Sequence, residues 1–153
     1  MKFGEMLNED LVVLGFTAGD KWQAIDALVA RLVEKGKLKP ELTKRAVDAL
    51  VAREKIATTA VDHGIALPHA KIDGIDEALA VLAVSKAGVP FLAADARPST
   101  IFVLLLIPLT QHQLHVKTLA SIARLLGFEE VRTGLANAKS EREALGVIRA
   151  EEA

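Results

Sequence analysis

Hydrophobic and polar positions along the chain change period several times, and each change predicts an element. Leu11 to Phe16, "LVVLGF", reads as a first strand, followed by a Thr17-Ala18-Gly19-Asp20 turn able to cap a helix. Ala24, Ile25, Leu28, Val29, Leu32 and Val33 then recur at helical spacing until Gly36. A second helix is expected to begin at Pro40, with Leu42, Ala46, Val47, Leu50 and Val51 as its buried stripe, and to end near Arg53. After a Thr58-Thr59 loop, "HGIALPHAK" (63–71) reads as a strand that carries a histidine to its end. Three more apolar runs follow: "ALAVLAVS" from Ala78, a short "VPF" from Val89, and "TIFVLLLIP" from Thr100.

These runs are too apolar for a sheet face open to water, so helices must cover both faces. From Gln111 the helical period returns: Leu114, Leu119, Ile122, Ala123 and Leu126 predict a helix stopping at Gly127. A shorter segment follows around Val131 and Leu135, and Ser140 with Glu143 forms a capping box ahead of a last helix through Ala144, Leu145 and Ile148. Helices and strands are mixed, with helix pairs grouped at the two ends. The expectation is an α/β fold: a mixed β-sheet flanked by helices on both faces, an α/β/α sandwich in one domain spanning 1–153.

Composition narrows the chemistry. The 153 residues are 51% hydrophobic and 25% charged with a net charge of −1, which fits a globular chain and gives no one-signed surface for nucleic acid or an anionic membrane. No cysteine is present, which excludes disulfides, thiolate metal sites and cysteine nucleophiles. The start, "MKFGEMLNEDLVV", carries acids where a signal peptide is apolar, and "IFVLLLIPL" from Ile101 is too short to span a bilayer. A cytoplasmic protein without stable membrane insertion is expected.

The four histidines form two pairs, His63 with His69 and His112 with His115. Pro68 holds Leu67 extended and offers no N–H, so strand pairing should weaken where His69 emerges. Arg53, Thr58, Thr59 and Lys71 are near in sequence and, with turn N–H groups, could hold the oxygens of a phosphoryl group. A neutral imidazole is a good nucleophile, and one with a pKa of about 6.5 is mostly neutral at pH 7. His115 reads equally well as a half-buried helix residue or a site residue. His112 reads as a solvated helix start, and His63 as either kind.

The stretch "REKIATTAVDHGIALPHAK" resembles the signature of the fructose/mannitol-type (type 2) enzyme IIA domains of the bacterial phosphoenolpyruvate-dependent phosphotransferase system (PTS EIIA), in particular their nitrogen-regulatory branch. The likeness extends to "LNEDLVVL" and the Lys21 helix, to "VPFLAADARPSTIFVLLLIP", and to "HVKTLASIARLL". It implies a mixed sheet flanked by helices and a histidine phosphocarrier. By that resemblance His69 accepts a phosphoryl group from HPr or its nitrogen-branch counterpart, and His115 is the partner histidine that orients it. Arg53 is then the site arginine and Thr59 belongs to the hydroxyl-bearing loop, with Lys71 following the acceptor. No metal or other cofactor is implied. Asp62 and His63 replace a common glycine and asparagine, so Asp62 must turn away from the phosphoryl group. Ala70 replaces a frequent glycine and requires a backbone without positive φ.

The resemblance points to a protein acting mainly in regulation, because no IIB or membrane domain is fused here. The alternative is a sugar-transport subunit that passes its phosphate to a IIB partner. Two readings of other classes stand beside it: a catalytically silent module acting through protein contacts, and a zinc site built from His63, His69, His112 and His115.

Overall fold

In the computed structural model, which describes residues 2–91 and 97–153, local sequence signals set most element boundaries. A short helix, α1 (Phe3–Met6), leads through a 3-10 turn at Glu9–Leu11 into β1 (Val12–Val13). The expected strand to Phe16 is cut short because Gly15 takes a left-handed conformation, φ 65°, although Phe16 N–H still donates to the Val84 carbonyl at 3.0 Å. Asp20 caps α2 (Lys21–Glu34) by accepting from Gln23 N–H at 2.9 Å. A 3-10 turn at Pro40–Leu42 precedes α3 (Thr43–Ile56), which runs three residues past the expected end at Arg53.

The "HGIALPHAK" segment is the largest revision. Its first residues are not extended: β2 (Ala60–Val61) is followed by a 3-10 turn at Asp62–Gly64, in which His63 has φ 70°. Then come β3 (Ile65–Ala66) and β4 (His69–Ile72). Both run parallel to β6 (Ser99–Pro108) with the same sequence offset, Ile65 opposite Ile101 and His69 opposite Leu105. They are therefore one strand track interrupted at Leu67–Pro68. His69 opens the second half of that track instead of standing at a strand exit, because the Pro68 carbonyl still accepts from Leu105 N–H at 2.9 Å and keeps the register.

The "ALAVLAVS" and Val89 runs fuse into one strand, β5 (Leu79–Val89), with an irregularity between Val84 and Val89 where Gly88 has φ 81°. After β6 come α4 (His112–Leu126), α5 (Glu129–Asn137) and α6 (Glu141–Glu152). Ser140 caps α6 through Glu143 N–H at 3.1 Å, while the Glu143 carboxylate reaches back to Lys139 N–H, one residue before the cap.

The sheet order is β1-β5-β6-β3-β2, with β4 also on β6; β1 is parallel to β5, and β5 and β6 are antiparallel. Ile101 to Ile107 are all buried, as are Leu79 to Ser85, so both sheet faces are covered. The pair α2 and α3 packs against β4, β5 and β6, while α4, α5 and α6 pack on one another and on β1, β5 and β6. Each fully buried leucine on β6 contributes roughly 1.5–3 kcal/mol, which makes β6 the rigid element on which the histidine strand is aligned.

Candidate active site

Strand alternation and helix pitch bring two residue pairs together. On β4 the period of two puts His69 and Lys71 on one side, half-buried, and Ala70 and Ile72 on the other, buried in the core. The first turn of α4 returns over them with the opposite sense. The rings of His69 and His115 lie 5.1 Å apart between centroids at 64°, and Lys71 Nζ lies 3.1 Å from His112 Nδ1. The His112 and His115 rings are 6.3 Å apart.

His69 Nδ1 lies 2.7 Å from the Leu67 carbonyl oxygen. A carbonyl can only accept, so Nδ1 carries the proton and Nε2 keeps its lone pair. Burial pushes the His69 pKa below its ordinary value of 6.5; the Leu67 hydrogen bond and Glu54 pull upward, and the Arg53 charge pushes further down. The ring is neutral at pH 7, which a nitrogen nucleophile requires.

His115 is lowered as well, by burial first and then by His69, Lys71, His112 and Arg53. Both of its ring nitrogens are shielded from solvent and have no hydrogen-bond partner among the described residues. A buried polar group left so costs about 1–3 kcal/mol, an expense that a bound group with acceptor oxygens would relieve.

The remaining residues singled out from the sequence divide. Arg53 lies on the last turns of α3, where its charge reaches both rings, and it donates to the Ala57 carbonyl at 2.9 Å. Thr59 is buried, and its hydroxyl donates to Glu54 at 2.6 Å, so it contributes loop position and not a spare donor. The Thr58 hydroxyl is likewise committed, to the Phe91 carbonyl at 2.7 Å. His112 is not merely solvated, since it pairs with Lys71.

Asp62 is exposed in its 3-10 turn, and the charges bearing on His69 are those of Arg53 and Glu54. Ala70 has ordinary strand geometry, the positive-φ non-glycine residue among the described ones being His63. No group of three or more His, Cys, Asp or Glu among the described residues is arranged to hold a metal ion, so the four histidines do not converge into a zinc site.

Sequence reasoning missed Glu54 and Lys21. Glu54 is 3% exposed; its carboxylate accepts from Thr59 N–H at 2.9 and 3.2 Å and pairs with Lys21 Nζ at 3.2 Å. The signal was in the periodicity. Position 54 continues the stripe of Ala46 and Leu50, and position 21 falls one turn before Ile25, so each charge sits where an apolar residue is expected.

Residues 5–151 match the family model described as "Phosphoenolpyruvate-dependent sugar phosphotransferase system, EIIA 2". A "PTS system fructose-specific EIIA component" of Haloferax volcanii is 32% identical over 139 residues, covering 91% of this chain and 89% of that protein. A "Nitrogen regulatory protein" of Bradyrhizobium diazoefficiens is 27% identical over 148 residues, covering 97% and 95%. Among solved structures, nitrogen regulatory protein IIA-Ntr from Neisseria meningitidis superposes with a TM-score of 0.85 at 25% identity, covering 95% of this chain and 97% of that one.

Proposed function

This chain belongs to the EIIA 2 family of the phosphoenolpyruvate-dependent sugar phosphotransferase system, and from that premise we propose that it is a phosphohistidine carrier with His69 Nε2 as the acceptor atom. All of residues 1–153 act as the one EIIA domain. The phosphoryl donor is the phosphohistidine of HPr or of its nitrogen-branch counterpart.

In the transfer step the Nε2 lone pair attacks phosphorus, and a new N–P bond forms as the donor's N–P bond breaks. The departing electron pair stays on the donor's ring nitrogen. His69 retains its Nδ1 proton, so its ring gains positive charge, which the Leu67 carbonyl stabilises. The transferred group carries negative charge on three oxygens, and the positioned donors around it supply most of the catalysis. Those donors are the Arg53 guanidinium, the Lys71 ammonium and a His115 N–H that has no other partner among the described residues. Leu109 and Val116, flanking the start of α4, leave apolar surface exposed beside these groups for a protein partner.

The observation that carries this reading is the 2.7 Å Nδ1–H bond that turns Nε2 toward the transfer partner, beside a His115 ring with no hydrogen-bond partner among the described residues. Incubation with phosphoenolpyruvate, enzyme I and either carrier should label the protein through an acid-labile, base-stable bond. Unchanged labelling of His69→Ala would refute His69 as acceptor. We read the output as mainly regulatory, through a target protein, in the cytoplasm where phosphoenolpyruvate is made; none of the described helices is long and apolar enough to cross a membrane. Identity to the fructose-specific relative favours a second reading, in which a IIB subunit receives the phosphate. Faster labelling from HPr than from its nitrogen-branch counterpart would support that alternative.

A further inference from the structure

We propose that the buried Lys21–Glu54 pair is the positioning device for the acceptor imidazole, fixing the orientation and tautomer of His69 through Thr59 and Leu67. The proposal rests on the reading of His69 as the phosphoryl acceptor. The pair lies between the first turn of α2 and the last turn of α3, with the Glu54 side chain fully buried and that of Lys21 11% exposed. A buried ion pair is seldom retained for stability alone, because apolar residues of similar volume serve as well or better. Its position relative to the site suggests another use.

Three links connect it to His69. The Glu54 carboxylate accepts from both the N–H and the hydroxyl of Thr59, which fixes that residue at two points. The Thr59 carbonyl accepts from Leu67 N–H at 3.2 Å. The Leu67 carbonyl accepts from His69 Nδ1–H at 2.7 Å. At Thr59 and at Leu67 the N–H and C=O belong to different peptide units, so the links transmit position and not polarisation. The charge of Glu54 acts separately, through space, and favours the positive ring formed during attack.

Leu67 is the weak point of the strand track. Pro68 has no N–H, and β2 lies alongside β3 but not β4. Among the described residues, the backbone–backbone bonds holding the Leu67–Pro68 segment are one inward from Leu105 and one outward to Thr59. Freeing Thr59 releases the outward one, and with it the carbonyl that selects the His69 tautomer. Lys21 holds the carboxylate in place at 3.2 Å, and its own Nζ lies 5.4 Å from the Trp22 ring and 5.7 Å from the Phe91 ring, against aromatic walls.

The test uses the whole chain and reads the ring nitrogens of His69 by 15N NMR alongside the rate of phosphoryl acceptance. The wild type should show the Nδ1–H tautomer. Glu54→Gln should populate the Nε2–H tautomer and slow acceptance roughly ten- to hundred-fold, as expected for a nucleophile displaced by a fraction of an ångström. Where Glu54→Gln is unstable because Lys21 is left unpaired, Lys21→Met/Glu54→Gln buries no lone charge and should show the same tautomer change. Should neither fold, Thr59→Val decides: a shifted tautomer restored by Thr59→Ser supports the proposal, and an unshifted one overturns it. A folded Glu54 variant with the wild-type tautomer and rate makes the pair a packing device and overturns it too. The ring spectra need no phosphoryl donor, so a wild type that accepts no phosphate would sink the functional reading and leave the tautomer result standing.

Discussion

Removing the His115 ring should damage phosphoryl transfer far more than stability. In the free protein its two shielded nitrogens lack partners among the described residues, so the wild type already bears about 1–3 kcal/mol for each unsatisfied group. His115→Ala relieves that cost while losing the packing of a half-buried ring. With the two opposed, the net change should lie within about 1 kcal/mol, or about 2–4 °C in melting temperature for a chain of this size. The phosphorylated form behaves differently. Its oxygens would sit beside a ring whose centroid is 5.1 Å from that of His69, close enough to accept a His115 N–H. A hydrogen bond to a charged group is worth about 1.5–3 kcal/mol, or roughly ten- to hundred-fold in an equilibrium constant. Equilibrating the variant with phosphorylated carrier and measuring the phosphorylated fraction of each partner tests this, with calorimetry run on the same sample. His115→Asn retains an N–H donor and should recover part of the loss. A His115→Ala protein that accepts phosphate normally but melts early would make the ring a packing residue and refute the reasoning.

Because the His69 pKa is depressed below 6.5, acceptance should hold steady as pH falls to that value and decline only below it; a rate profile that halves at or above 6.5 would contradict this. The same shifts at His69 and His115 mean that the unfolded chain binds protons before the folded one does, so stability should fall as pH drops through the window below 6.5 and not change on their account above it, as acid-side melting curves can check. Lys71→Met removes a charge that holds the His115 pKa down, so NMR titration should show His115 titrating higher than in the wild type. Gly64→Ala should destabilise by about 1–2 kcal/mol in denaturant titration, since φ is 72° and the added Cβ would lie 3.0 Å from Thr100 Oγ1.

The long periodic elements were legible because burial imposes their pattern directly. The stripe Ala24, Ile25, Leu28, Val29, Leu32 is fully buried on α2, and the Asp20 and Ser140 caps form as the residue types predict. The short segments were not. At Gly15 and His63 the left-handed backbone ends the extended chain, and nothing in hydrophobic alternation reports φ. The run from Val61 to Ile72 was legible in its chemistry and illegible in its path, because Pro68 interrupts the strand assignment without breaking the register on β6. Glu54 was overlooked because an acidic residue on a helix reads as solvated unless its phase against the apolar stripe is checked.

That register decides whether a site exists at all. His69 faces His115 because β4 sits with His69 opposite Leu105, and β6 runs on to Pro108 before a short turn releases α4 at His112. Displacing β4 by one residue would put Ala70 and Ile72 on the helix side and bury His69 and Lys71 in the core, separating both pairs at once. The constraint against that slip is apolar: Ala70 and Ile72 are both at most 6% exposed, and moving them to the half-exposed face would forfeit most of their burial while placing an ammonium inside. The acceptor histidine is thus aligned by the two apolar residues that alternate with it. Polar neighbours such as Leu67 C=O then refine an orientation that hydrophobic burial has already selected.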